Sequence, residues 1–211
     1  MPDEHELDVT QLAAIAAALG WASGLRLYAV VFLTGLAGSL GWVPLPSGLS
    51  VLQHPAMLWA SGGLLVVEFL ADKVPWVDSL WDAVHTFIRI PAGAALAYGV
   101  FGGDQATLAT VAALLGGTLA ATAHAAKATT RAAANSSPEP FSNIGLSLAG
   151  DAIVPGMLWL SWQHPVAFFV VLAIALVLMV TVTVLLFKFL RGLGRKLRAH
   201  FLPTQAGFGG T

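Results

Sequence analysis

The sequence predicts an all-α, polytopic membrane protein with about six membrane segments. Of its 211 residues, 57% are hydrophobic and 10% are charged, whereas about a quarter of the residues in soluble domains are charged. No Asp, Glu, Lys or Arg occurs between Leu27 and Val67 or between Ala152 and Phe187. Because about 20 apolar residues cross a bilayer, each of these gaps has room for at least one crossing. The lipid bilayer is therefore the first partner that the composition predicts.

The composition also narrows the other partners. A net charge of -1 gives no basis for a nucleic-acid partner. The absence of cysteine excludes disulfides and thiolate metal sites, and no cofactor is predicted. The N-terminal MPDEHELD lacks the basic start of a signal peptide, so residues 1–10 are expected to remain as an acidic tail. The composition is also compatible with a homo-oligomer.

The first helix is predicted from about Gln11 to about Leu40, after a capping box of Asp8 and Gln11. Gly20 and Gly24 form a GxxxG pair, which lets two helices approach closely, and the small residues 20–24 are expected to interrupt the helix. Arg26 lies deep in the apolar run and needs a partner. The six predicted segments are 11–40, 56–72, 76–102, 106–133, 144–162 and 166–190.

The segment 90–102 is too short to cross a bilayer by itself. Thirteen helical residues reach only ~20 Å, short of a hydrocarbon core of ~30 Å. It therefore spans only if 76–89 continues into it across a kink at Pro91. The segment 135–143 is predicted as a break because Pro138 and Pro140 prevent a regular helix.

Basic residues predict the orientation. Half of all Lys and Arg follow the last apolar helix: Lys188, Arg191, Arg195, Lys196 and Arg198. The positive-inside rule predicts that this tail, residues 191–211, lies in the cytoplasm. The protein is then expected in the inner membrane of the cell. Six crossings would then place the N-terminus in the cytoplasm as well.

Two sets of sequence echoes predict an internal duplication with broken helices. LAAIAAALG at 12–20 returns as LATVAALLG at 108–116. LAG, VP and QHP in the first half return in the same order in the second half. The predicted repeats are 11–102 and 103–190. With six crossings, the two helices that carry the first echo would run in opposite directions, and the two that carry the second echo would run in the same direction. Inverted and parallel repeats therefore both stay open.

An acidic stretch interrupts the apolar sequence at 68–89. Asp78, Asp82, His85 and Arg89 are spaced four, three and four residues apart and share one helical face. One interpretation is an amphipathic helix lying in the membrane interface. The other is a polar stripe inside the bundle, because ionisable residues at membrane depth are candidates for function.

Other ionisable residues complete the candidate site for a substrate or ion. Glu68 and Asp72 lie one turn apart, and a basic stripe would compensate them: His124, Lys127 and Arg131. Asp151 is alone in an apolar helix, and its partner is expected from that basic stripe. Glu139 lies in the proline-rich break, whose irregular backbone either lines a cavity or forms a surface turn. Residues predicted for structural pairing are Arg26, Lys73 and Arg89.

Three motifs follow one another along the chain: Glu68 with Asp72-Lys73-x-Pro75 and Asp78, then His124-x-x-Lys127-x-x-x-Arg131, then Asn135-Ser-Ser-Pro-Glu-Pro-x-Ser-Asn143. Together they resemble a bacterial membrane-protein family catalogued as domain of unknown function 4126. The resemblance covers about 11–190 and implies a multi-pass bacterial membrane protein without an assigned activity. The family often has an acidic residue before the position of Asp151, where this chain has Gly150.

The function predicted first is transport of a small solute, an ion or a lipid headgroup through a charged polar core between the repeats. The second hypothesis is a metal-dependent membrane enzyme acting on lipid phosphates, suggested by the spacing of Asp78 and Asp82. That motif is isolated, and HExxH and GxSxG are absent, so an enzyme is the weaker interpretation. A purely structural or assembly role is the third.

Overall fold

The fold was analysed in a computed structural model, which describes residues 7–135 and 140–201. Those residues form α-helices joined by short links and two short 3-10 helices, and they contain no strand, which confirms the all-α prediction. The helices are α1 (Val9–Ser39), α2 (Pro55–Ala71), α3 (Pro75–Phe101), α4 (Ala106–Asn135), α5 (Pro140–Gln163) and α6 (Pro165–Phe201). A 3-10 helix at Ser47–Gln53 precedes α2.

The helices have the lengths that a membrane requires. Five described helices, α1 and α3 to α6, are long and apolar enough to cross a bilayer. The 3-10 helix and α2 together could form a sixth crossing, bent by 68° between them. Helix α3 continues through Pro91, so residues 76–89 do join 90–102. The chain is a multi-pass membrane protein.

The start of α1 follows the predicted capping box. The Gln11 backbone N–H donates to Asp8 Oδ1 over 2.7 Å, and the Asp8 N–H donates to Gln11 Oε1 over 3.1 Å. Two N–H groups that the helix itself leaves unpaired are thereby satisfied. Proline begins α2 and α3, where its missing N–H costs nothing.

Small residues bring α1, α3 and α4 into close contact. A Cβ on Gly20 would lie 2.5 Å from the Gly116 Cα, and a Cβ on Gly24 would overlap the Ala120 carbonyl. Because both residue numbers increase together, the first part of α1 runs in the same direction as α4. Gly93 lies against Gly20, and His85 lies against Tyr28, so α3 runs in the opposite direction.

Helix α1 changes direction at Arg26, the one residue within it that has non-helical dihedrals (φ -148°, ψ 82°). Gly35 packs against Leu52, and Gly48 packs against Gly99 near the end of α3. Residues 48–52 of the 3-10 helix span only ~8 Å. If α1 were straight, Gly35 and Gly99 would instead lie about 30 Å apart along the helix axes. The residues after Arg26 must therefore turn back, which gives α1 a first arm (9–25) and a second arm (27–39).

This bend changes the predicted topology in two respects. First, the sequence placed the interruption of α1 at 20–24, but those residues are helical and form the close contact with α4. Second, the Trp162 Nε1–H donates to the Pro44 carbonyl over 3.3 Å, so the α5–α6 link lies near the end of the second arm. Helix α6 then runs away from that end. The start of α1 and the end of α6 therefore lie at opposite ends of the bundle, not on one side as predicted.

The bend also removes the conflict between the two echoes. The first echo pairs Gly20 with Gly116, and the two helices that carry them run in the same direction. The second echo pairs the second arm of α1 with α5. Arg26 contacts Ser147, and Pro44 contacts Trp162, so these two segments also run in the same direction. Both echoes now fit parallel repeats, although the duplication itself stays a prediction.

Candidate functional site

Helix α3 turns its polar face towards the interior of the bundle. Asp78, Asp82, His85 and Arg89 are all at most 5% exposed. The opposite face is exposed, and its residues are Val77, Leu80, Val84, Phe87 and Ile88. A helix lying in the interface would have the reverse arrangement, with charges facing water. The structure therefore supports the polar stripe inside the bundle.

Arg89 joins α2 to α3 at the inner end of this stripe. Its Nη2 lies 2.7 Å from Glu68 Oε1, and its Nη1 lies 2.6 Å from Asp82 Oδ1. The side chains of Arg89 and Glu68 are 0% exposed. Bonds between ionised groups are roughly twice as strong as neutral ones, and removing one buried partner leaves the other charge uncompensated. These contacts fix the depth of α2 relative to α3.

Lys127 on α4 lies between two carboxylates. Its Nζ is 3.0 Å from Asp82 Oδ1 and 3.2 Å from Asp72 Oδ1. Oxygens of Asp72, Asp78 and Asp82 lie within 4.8 Å of one another, a spacing that metal ions use. The ammonium group already bridges two of these three acids, however, so it provides the positive charge that a metal ion would bring.

Asp72, in the link between α2 and α3, receives the largest number of cations. Arg26 Nη1 lies 2.8 Å and Arg131 Nη2 lies 3.8 Å from its Oδ2. Arg131 also donates to the Asp72 carbonyl over 3.0 Å. Burial favours the neutral acid, but Lys127 and Arg26 outweigh burial and hold the pKa of the Asp72 carboxyl below its usual value.

Asp78 is held more loosely than its neighbours. Its side chain is 0% exposed, and Arg131 Nε lies 3.6 Å from Oδ2. Neither carboxylate oxygen accepts a hydrogen bond from an N–H group that the structure describes, and the carboxyl lies close enough to that of Asp72 for the two to share a proton. A buried, ionised carboxylate without hydrogen bonds is unfavourable, so Asp78 is the position where a proton is most easily accommodated.

Asp151 on α5 pairs with Arg26 instead of with the basic stripe on α4. Arg26 Nε lies 3.0 Å from Asp151 Oδ1, and Nη2 donates to the carbonyl and hydroxyl oxygens of Ser147. The bend in α1 brings Arg26 to the level of Asp72 and Asp151. One guanidinium group therefore connects α1, α5 and the α2–α3 link.

We call these nine residues the charge network: Glu68, Asp72, Asp78, Asp82, Asp151, Arg26, Arg89, Lys127 and Arg131. It contains five carboxylates and four cations, and each carboxylate lies within 4.0 Å of a cation. Fully ionised, the network has a net charge of -1. One proton or one monovalent cation would neutralise it.

The two histidines of the predicted site lie beside the network. His85 stacks on Trp81 with ring centroids 4.0 Å apart, and its Nε2 is 2.9 Å from the Tyr28 hydroxyl. His124 Nε2 is 2.7 Å from the Thr86 hydroxyl. Both rings thus have neutral hydroxyl partners. Sequence reasoning missed them because Tyr28 is 57 residues from His85, and Thr86 is 38 residues from His124.

Lys73 forms no ion pair with the charge network among the described residues, although its charge interacts with Asp151 and Asp72. Lys73 Nζ donates to the Phe69 carbonyl over 3.1 Å and lies over the Phe69 ring. Glu139 is outside the described residues.

A cavity of about 510 Å³ opens beside the charge network, between α1, α4, α5 and α6. At one end it reaches Arg26, Asp72, Lys127 and Arg131. Its walls are apolar side chains of α5 and α6, among them Ile153, Met157, Ile174 and Leu178. Sequence reasoning missed this cavity because its walls look like ordinary lipid-facing residues.

Residues 13–184 match the family described as domain of unknown function 4126, which covers most of the chain. No curated protein and no solved structure matches the chain.

Proposed function

We propose a transport function for this chain, which belongs to the family described as domain of unknown function 4126. The transported species is a small solute or lipid headgroup, and its movement is coupled to a proton that the charge network binds and releases. One observation carries this proposal: the network includes Asp78, a fully buried carboxylate whose oxygens accept no hydrogen bond from a described N–H group. Ionisable groups at membrane depth typically mark proton relays and substrate pathways.

The poorly satisfied acid favours a functional network over a purely structural one. A network that only joins helices is most stable when each buried charge is compensated, because an uncompensated charge in a medium of low dielectric constant is costly. In this network a proton on one carboxylate relieves that cost. Asp78 is the candidate for protonation because its oxygens lack hydrogen bonds from described N–H groups.

The position of Lys127 argues against the metal-dependent enzyme. A divalent cation between Asp72, Asp78 and Asp82 would lie close to the Lys127 ammonium group, which is 3.0 Å from Asp82 and 3.2 Å from Asp72. Repulsion between the two cations disfavours such a site. A proton on Asp78 requires no comparable rearrangement.

Proton flux into reconstituted vesicles tests the proposal. The vesicles contain a pH-sensitive dye, carry an imposed membrane potential, and are supplied in turn with small inorganic anions, glycerophosphates and a single-chain alkyl phosphate. We expect the parent protein to give a flux that depends on one of these solutes, and Asp78→Asn to lose it while remaining folded. Asp8→Asn is the matched control, because Asp8 only caps α1 and Asn also serves as an N-cap.

Two results would overturn the proposal. The first is a full, solute-dependent flux in folded Asp78→Asn. The second is the absence of flux from the parent protein with every solute, which would support the structural role. Thermal unfolding in detergent and size-exclusion chromatography check that each variant is folded.

A further inference from the structure

We propose that the cavity between α1, α4, α5 and α6 binds a lipid anion with a single alkyl chain, taken from the surrounding membrane. The anionic head would lie at Lys127 and Arg131, and the chain would lie along α5 and α6. This inference rests on the proposed transport function and deepens it, since it names the class of solute. The arrangement of charge, the shape of the cavity and the chemistry of its walls support it.

The charged end of the cavity is positive. Three cations and one carboxylate line it: Arg26, Lys127, Arg131 and Asp72. The other carboxylates of α2 and α3, which are Glu68, Asp78 and Asp82, do not line it. The cations border the cavity with side chains only 3–9% exposed, and most acids of the network lie behind them. Opposite charge at short range favours an anionic head at this end.

The remainder of the cavity suits one alkyl chain. Along α6 the lining runs from Val171 to Val182, a distance of about 16 Å for eleven helical steps. The volume of about 510 Å³ lies within the ~300–1,000 Å³ that hold one small ligand. A lipid with two chains would exceed it. The apolar walls disfavour a solute that is polar along its whole length.

The same geometry links binding of the anion to uptake of a proton. An anionic head at Lys127 and Arg131 would compete with Asp72 and Asp78 for these cations. A carboxylate that loses its cation takes up a proton more readily. Lipid anion and proton would therefore bind together, which is the linkage that coupled transport requires.

Equilibrium binding to the purified full chain in a neutral sugar detergent, measured by native mass spectrometry, tests this proposal. The probes share one chain and differ in charge: hexadecyl phosphate, hexadecylphosphocholine and hexadecyltrimethylammonium, with inorganic phosphate as the head alone. We expect hexadecyl phosphate to bind at least tenfold more tightly than each of the other three. Equal binding of the cationic or zwitterionic probe, or of inorganic phosphate, would overturn the proposal.

A matched pair of substitutions on α6 locates the site. Ala175 lines the cavity, whereas Ala173 is exposed outside it. Ala175→Phe should weaken binding of hexadecyl phosphate at least tenfold, and Ala173→Phe should leave it unchanged. If Ala175→Phe does not fold, Ile153→Trp fills the cavity from α5. Parent-like binding in the folded cavity-filling variant would overturn the assignment.

Binding and proton flux are measured separately, so the two proposals can fail separately. Loss of flux without loss of binding would contradict coupling alone. Absence of binding alongside a solute-dependent flux would contradict the lipid anion alone.

Discussion

Arg89 Nη2 lies 2.7 Å from Glu68 Oε1, and neither side chain is exposed. This pair predicts strong coupling in a double-mutant cycle. Glu68→Gln and Arg89→Gln should each lower the free energy of unfolding in detergent by about 3–5 kcal/mol, because each leaves a buried charge uncompensated. The double variant should lose clearly less than the sum.

The control for this cycle is Glu68→Gln combined with Lys127→Gln. The ion pairs of Lys127 are with Asp72 and Asp82, so this pair should be nearer to additive. Additive losses in the Glu68 and Arg89 cycle would show that the two groups do not stabilise one another.

The ion pairs of Asp72 predict that the folded chain loses stability in acid. Cations hold the pKa of its carboxyl below the usual value in the folded chain. The contribution of the ionised group is therefore present above about pH 3.9, the ordinary value for Asp, and disappears as pH falls through the lower folded value. Thermal unfolding of parent and Asp72→Asn should differ most near neutral pH and converge below pH ~3.9. A difference in thermal stability between the parent and Asp72→Asn that grows as pH falls would contradict this prediction.

Close helix packing predicts opposite effects on thermal stability when two different glycines are replaced by alanine. A Cβ on Gly24 would overlap the backbone of Ala120, whereas a Cβ on Gly63 meets nothing within 4 Å. Gly24→Ala should force α1 and α4 apart and lower the melting temperature markedly. Gly63→Ala, the same change in an open position of α2, should be neutral or slightly stabilising. Equal effects would mean that this contact between α1 and α4 is not tight.

The reversal at Arg26 predicts that the two ends of the chain lie on opposite sides of the membrane. The positive-inside rule predicts that the end of α6 lies in the cytoplasm, so the start of α1 is expected to face the periplasm. A reporter active only in the periplasm should work at the N-terminus and fail at the C-terminus. The same activity at both ends would restore the six-crossing topology.

The sequence predicted the helical elements and the polar face of α3 because these depend on neighbouring residues. The Asp8–Gln11 cap follows from local chemistry, whereas the continuation of α3 through Pro91 was left open by the sequence. Spacing placed Asp78, Asp82, His85 and Arg89 on one face. It did not decide whether that face points to water or to the interior, since this depends on the helices packed against it.

By itself the sequence determined a multi-pass helical membrane protein whose ionisable groups lie at a few depths, because composition and periodicity set which segments can face lipid. Only the tertiary structure decided which charges meet. Asp151 pairs with Arg26 where one residue with non-helical dihedrals reverses α1, and Glu68 pairs with Arg89 where α2 packs on α3. Gly24 lies two residues before Arg26, but a glycine does not distinguish a close helix contact from a reversal, and the contacts that impose the reversal come from distant parts of the chain.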